Sequence, residues 1–335
     1  MQGVTTIIGG QCGASLAPIL YGSLKSIRKW GNINQINVNW HSIGELKQIL
    51  RKNGLGVNFA TLIGHSTIRR DLIGDEVRDL TDSELDIFEN LISEGMRNNA
   101  LGLSTGLGYI HARHVSYSEI KKLLSVVAKN NGVYTTHLRD ERTEIVASVE
   151  EAVALANASE IPAVISHFRP ILGFEDQFNE ALKIISDDSR ANNVYFDANP
   201  FDFSIFPLYS LLPGWAQHKS LEDMLDLLRD ENSKKDILEE IRKAGYGYSS
   251  IIIAEAKDNP AIIGKTLMEF SKSRGLTAEE GLLTLMEITG LKTLLMKKNI
   301  NPEILNELLF HPKALIGSNS ASFSGEEKMM KSERS

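Results

Sequence analysis

A (β/α)8 barrel is the fold class the sequence predicts, on three observations. Seven short apolar runs alternate with longer helical patterns, the order of a parallel α/β sheet with right-handed crossovers. Polar and ionisable residues fall at the carboxyl ends of many different runs, namely Cys12, His65, Thr105, His137, His167, Asn199 and Asn319; a barrel builds its site from such positions. An open doubly wound sheet lacks its best sign, because no G-x-G-x-x-G opens a helix after the first run.

The runs are GVTTIIGG (3–10), VNFATLIGH (57–65), LGLSTGL (101–107), GVYTTHLR (132–139), IPAVISHF (161–168), NNVYFDANP (192–200) and KALIGSNS (313–320). Each is short, rich in β-branched residues and bounded by Gly, Asn or Pro, as fully buried parallel strands are. Helix starts are marked by Thr81-x-x-Glu84, Ser116-x-x-Glu119 and Thr277-x-x-Glu280, three capping boxes in which hydroxyl and carboxylate satisfy free amides of a first turn. Residues 144–156 carry apolar positions at helical spacing and lead into the run at Ile161. The stretch from Phe203 to Pro312 is too long for one connection. It holds helical patterns at 220–244 and 277–297 and one apolar run at 248–256, and reads as a helical lid or substrate subdomain. The expected organisation is barrel strands 2–7 with their helices over 1–203, a helical insertion over 204–312, strand 8 over 313–321, and a charged, frayed tail over 322–335.

Composition excludes some partners. A formal charge of −7 and the lack of a Lys/Arg stripe argue against nucleic acid. One cysteine excludes an internal disulfide framework and fits a reducing cytoplasm. No leader pattern or membrane-length apolar run occurs, so neither secretion nor a membrane partner is expected.

Cys12, His137 and His167 would share one mouth if each caps its strand. A thiolate and two neutral imidazoles suit zinc, with a fourth position left for water. Each taken alone has a plainer reading: a buried cysteine is a small hydrophobe, and a strand-end histidine is often a hydrogen-bonded structural residue.

In order along the chain, QGVTTIIGGQCGASLAP, TLIGHSTIRR, NNALGLSTGLGY, YTTHLRDE, AVISHF and HPKALIGSNS resemble the signature segments of the D-aminoacylase (N-acyl-D-amino-acid deacylase) branch of the amidohydrolase superfamily, from Met1 to about Ser320. The resemblance implies a metal-dependent TIM-type barrel that hydrolyses the amide of N-acyl-D-amino acids or related small N-acyl compounds. It implies Cys12, His137 and His167 as ligands of one Zn2+, the second site being incomplete. It maps a substrate-holding tyrosine to Tyr109, equally a rim aromatic by position. His65 and Arg69 match a segment lining the mouth, where a structural role competes. Arg169 stands where many relatives have lysine, and a cation there would pair with a substrate carboxylate unless it is a solvated surface charge.

The family scheme needs a carboxylate to take a proton from water and return it to the leaving nitrogen. Three departures stand out: the H-x-H or H-x-D pair of barrel strand 1 would lie upstream of Gln2-Gly3-Val4, Asn319 replaces the strand-8 aspartate, and the flanking β domain is absent. These leave two expectations. One is an active zinc hydrolase, with Asp197 or Asp202 as carboxylates to consider. The other is a catalytically inactive relative, or one piece of a split enzyme that binds metal or a separate N-terminal chain completing the barrel.

Overall fold

In a computed structural model the described residues are 3–21, 38–74, 76–217, 219–256 and 258–317. Asn319 and the 322–335 tail lie outside them. The described chain forms two compact units, Met1–Pro200 with Glu303–Gly317, and Phe201–Pro302. The strands are β1 (Thr6–Gly9), β2 (Asn58–Thr61), β3 (Ile63–Gly64), β4 (Gly102–Gly106), β5 (Val133–His137), β6 (Ala163–Ile165), β7 (Val194–Ala198), β8 (Phe203–Pro207), β9 (Ile251–Glu255), β10 (Leu294–Lys298) and β11 (Ala314–Ile316).

The first unit is an α/β structure with a six-stranded sheet in the order β11-β7-β6-β5-β4-β3, parallel throughout. β1 pairs in parallel with β2, and Leu62 alone separates β2 from β3. All seven apolar runs of the sequence supply these strands. Registers such as Gly106 opposite His137 bring the carboxyl ends of neighbouring strands level, which is how distant residues come to share one face.

The helix Asp82–Arg97 starts in a complete capping box, with Thr81 Oγ1 accepting from Glu84 N–H and Glu84 Oε2 accepting from Thr81 N–H at 2.8 Å. At Tyr117–Lys129 only half of the expected box forms. Ser116 Oγ accepts from Glu119 N–H at 3.2 Å, while the Glu119 carboxylate turns inward to His65 and Arg69. Behind β6 and β7, Phe168 stacks on Phe178 of the helix Glu175–Ser186 and packs against Phe196, with centroids 4.5 and 5.3 Å apart. Lys313 is drawn in beside β11, its Nζ donating to the carbonyls of Ile185 and Ala191, each at 2.8 Å.

The second unit is more than the helical insertion expected over 204–312. It contains a three-stranded antiparallel sheet, β8-β10-β9, with its own core around Met224, Ile237, Phe270, Leu282 and Leu295. The 220–244 pattern is two helices, Leu221–Arg229 and Glu231–Ala244, parted at Asp230, whose carboxylate caps the second by accepting from Ser233 N–H at 2.8 Å. The 277–297 pattern stops at Thr289, where Gly290 takes φ 56° and the chain enters β10. Residues 303–312 group with the first unit, which corrects the expected boundary.

Candidate metal centre

Cys12 follows β1 in a tight turn, with Gly10 at φ 80°, Cys12 at φ 54° and Gly13 at φ 79°. The turn is pinned from neighbouring elements. Ser104 Oγ of β4 donates to Gly10 O and accepts from Gly13 N–H, and Gly13 O accepts from Thr67 N–H at 3.1 Å. His137 ends β5. His167 lies two residues beyond β6 at φ 42°, and its N–H donates to Asp197 Oδ1 of β7 at 2.8 Å. A left-handed backbone costs a non-glycine residue about 1–2 kcal/mol, so the bonds around Cys12 and His167 hold both in conformations they would not otherwise adopt.

These turns bring three side chains together. One donor atom from each of Cys12, His137 and His167 lies within 4.8 Å of the other two. Sγ of Cys12 is 3.5 Å from Nε2 of His167, and Nδ1 of His137 is 2.8 Å from that same Nε2. Around a tetrahedral zinc, bonds of about 2.3 Å to sulfur and 2.1 Å to nitrogen separate donors by about 3.4–3.6 Å. The Cys12–His167 edge already has that length, and the two imidazoles need to part by only about half an ångström. Number, chemistry and spacing of the donors therefore fit a zinc ion.

Charge couples the same residues when no metal is bound. Burial alone would raise the Cys12 thiol, but the adjacent His167 charge and hydrogen bonds from both imidazoles bring it down to about 6. Burial would lower His167, yet the charges of Glu141 and Cys12 raise it to about 10. Burial raises the Asp197 carboxyl in spite of the nearby His167 and Arg169 charges.

Two glycines of LSTGLGY make room for the cluster. A Cβ on Gly106 would stand 2.5 Å from the Tyr109 ring, and one on Gly108 would stand 2.6 Å from His137 Nε2. Tyr109 lies against His137, with ring centroids 4.6 Å apart, so the structure places it at the cluster. Arg169 reaches Glu141 Oε2 at 2.9 Å, and its Nε is buried without a hydrogen-bond partner.

His65 sits elsewhere. Its side chain is fully buried, with Nε2 2.8 Å from Glu119 Oε1, where Arg69 Nε also donates at 3.1 Å. Residue 65 begins the helix His65–Ile73 instead of ending a strand, which turns its imidazole towards Phe88 and Glu119. The expectation that His65 and Arg69 line the mouth is corrected: they form a buried ionic network.

Glu141 and Asp197 are the carboxylates beside the cluster. Glu141 was missed in the sequence, where its one signal is its place in YTTHLRDE, four residues past His137.

The first unit thus presents a Cys-His-His cluster at the carboxyl ends of parallel strands, a donor set suited to a metal ion. Known D-aminoacylases and related deacylases are similar to this chain in sequence and in fold. The chain is 32% identical to a D-aminoacylase of Alcaligenes xylosoxydans xylosoxydans over 206 residues, 60% of this chain and 41% of that one. It is 29% identical to the N-acyl-D-aspartate deacylase of the same organism over 203 residues, 60% of this chain and 40% of the other. The chain thus spans about two fifths of the length of these curated relatives. A crystal structure of D-aminoacylase superposes with a TM-score of 0.70 at 25% identity, covering 95% of this chain and 59% of that one. An N-acyl-D-glutamate deacylase of Bordetella bronchiseptica, solved with zinc and a phosphonate mimic of the tetrahedral intermediate, shares the fold with a TM-score of 0.72 at 20% identity, over 95% of this chain and 59% of its own. No protein-family model matches the chain.

Proposed function

We propose that the chain is the metal-binding part of a zinc-dependent hydrolase that cleaves the amide of N-acyl-D-amino acids. The observation that carries this is the meeting of Cys12, His137 and His167 with donor atoms within 4.8 Å. Held by these three side chains, zinc would lower the pKa of a water and polarise the scissile carbonyl. The chain's own residues bind and orient. Cys12 brings a thiolate, His137 and His167 bring imidazole nitrogens, and Tyr109 walls the cluster on the His137 side. Arg169, whose side chain is 21% exposed, is the cation for the substrate carboxylate.

A barrel is the closure this reading favours. Among the described residues β1 and β11 each have a partner on one side only, and each shows apolar side chains, Ile7 and Ile8 on the first and Leu315 and Ile316 on the second. One more parallel strand, from a longer chain or a separate one, would cover both edges.

A second reading is favoured by Asn319. An asparagine amide takes no proton at neutral pH, and losing a positioned base costs about 10² to 10⁴ in rate. On that reading the chain holds metal without turnover. The test is metal content of the purified protein alongside release of free amino acid from a panel of N-acetyl-D-amino acids. Zinc and turnover, both lost in Cys12→Ala, are the expected result. Zinc with no turnover supports the second reading, and no zinc overturns both.

A further inference from the structure

The carboxylate of Glu141 touches two groups of different kinds. Its Oε1 lies 2.8 Å from Nδ1 of His167, and its Oε2 accepts from Nη2 of Arg169 at 2.9 Å. Nδ1 makes no straight hydrogen bond, so what draws a ring proton to that nitrogen is the carboxylate charge 2.8 Å away. The side chain of Glu141 is 17% exposed and that of His167 5%. In so enclosed a place an ion pair is screened far less than at the surface.

We propose that Glu141 is a positioning residue serving both halves of the site: it holds the proton of His167 on Nδ1, so that Nε2 faces the metal, and it fixes Arg169 where a substrate carboxylate is read. The first role follows from the imidazole itself. A ring that gives Nε2 to a metal keeps one proton, and a carboxylate 2.8 Å from Nδ1 favours it there, leaving the Nε2 lone pair for the shared point with Cys12 and His137. The second follows from the guanidinium fork. With Nη2 engaged by Glu141 the plane of Arg169 is set, and 21% of its side chain stays exposed for a ligand to approach. One carboxylate therefore couples metal retention to substrate reading.

The inference rests on the zinc hydrolase reading for its substrate half, and the test separates the two. Zinc affinity is measured by competition with a coloured chelator in the full chain, in Glu141→Gln, Glu141→Ala and Arg169→Ala, together with metal-free thermal midpoints and the cobalt(II) absorption spectrum. Glu141→Gln keeps an oxygen acceptor and loses the charge; Glu141→Ala loses both. Loss of an outer partner of a metal-bound histidine costs about 10- to 100-fold in metal affinity. We expect the Gln variant near the lower end, the Ala variant near the upper, and an altered cobalt spectrum in both. Arg169→Ala should bind zinc as the parent does and raise KM with kcat little changed.

Zinc affinity unchanged in both Glu141 variants overturns the proposal. So does an affinity loss accounted for by the unfolded fraction, which is what a purely structural role gives. A parent chain that takes up zinc without hydrolysing any substrate defeats the hydrolase reading and leaves the zinc arm decisive for Glu141. A parent chain that takes up no zinc overturns both.

Discussion

Asp197 on β7 accepts the backbone N–H of His167 through Oδ1 at 2.8 Å, and its carbonyl accepts the N–H of Phe168, also at 2.8 Å. The neighbouring strand thus holds the left-handed turn that aims His167. Asp197→Asn keeps an oxygen in the same place, so zinc content should match the parent. Asp197→Ala leaves a buried N–H unpaired, which costs about 1–3 kcal/mol, and should shed zinc. Denaturant unfolding and metal analysis of the pair check this.

Cys12 is the only cysteine of the chain, so alkylation reports on one site. In the metal-free protein its thiol ionises at about 6, and iodoacetamide should react readily at neutral pH; bound zinc should protect it. The sign for stability follows from the two shifts. Cys12 is lowered on folding, so its contribution is complete above the ordinary value of 9.0 and is lost as pH falls through about 6. His167 is raised, so its contribution is complete below 6.5 and is lost as pH rises through about 10. Metal-free stability should therefore fall away at both ends, as thermal midpoints across pH would show.

Glu119 neutralises a buried Arg69 and accepts from His65. Truncating one partner of a buried ionic group costs about 3–5 kcal/mol because the other charge is left unpaired. Glu119→Ala should lose stability on that scale, while zinc affinity of the folded fraction stays as in the parent. An affinity change in the folded fraction would return these residues to the mouth.

Gly108 lies where a Cβ would meet His137 Nε2 at 2.6 Å and the Leu138 carbonyl oxygen at 2.7 Å. The backbone oxygen cannot swing away, so the imidazole must. Gly108→Ala should weaken zinc binding and cost about 1–3 kcal/mol of stability by overpacking, against little effect of Gly56→Ser, where nothing lies within 4 Å of the added carbon and the backbone is not left-handed. Chelator competition and thermal unfolding measure both.

The eight strands of the first unit are legible as seven runs, 57–65 supplying both β2 and β3, because each run is short, β-branched and closed by a breaker, and parallel pairing then levels their ends. That levelling is why Cys12, His137 and His167 meet as their positions suggest. His65 was misread by one residue: the chain enters a helix at 65, and the side chain turns with it. β8 and β10 were hidden for another reason. Antiparallel strands beside amphipathic helices carry mixed patterns, and Leu294–Lys298 continues the apolar spacing of the helix before it. Glu141 and Asp197 look in the sequence like ordinary loop and strand-end acids; only contacts made 26 and 30 residues away in the chain, to His167, set them apart.

The positive φ at residue 12 also filters which replacements evolution could try there. Asparagine, aspartate and glycine accept that backbone most easily, and aspartate alone of these brings a charged oxygen donor. Thiolates suit soft cations, while carboxylates suit manganese, magnesium and calcium. A replacement by Asp would thus meet little conformational resistance, and a cation held at this corner would shift from soft towards hard without the turn being rebuilt.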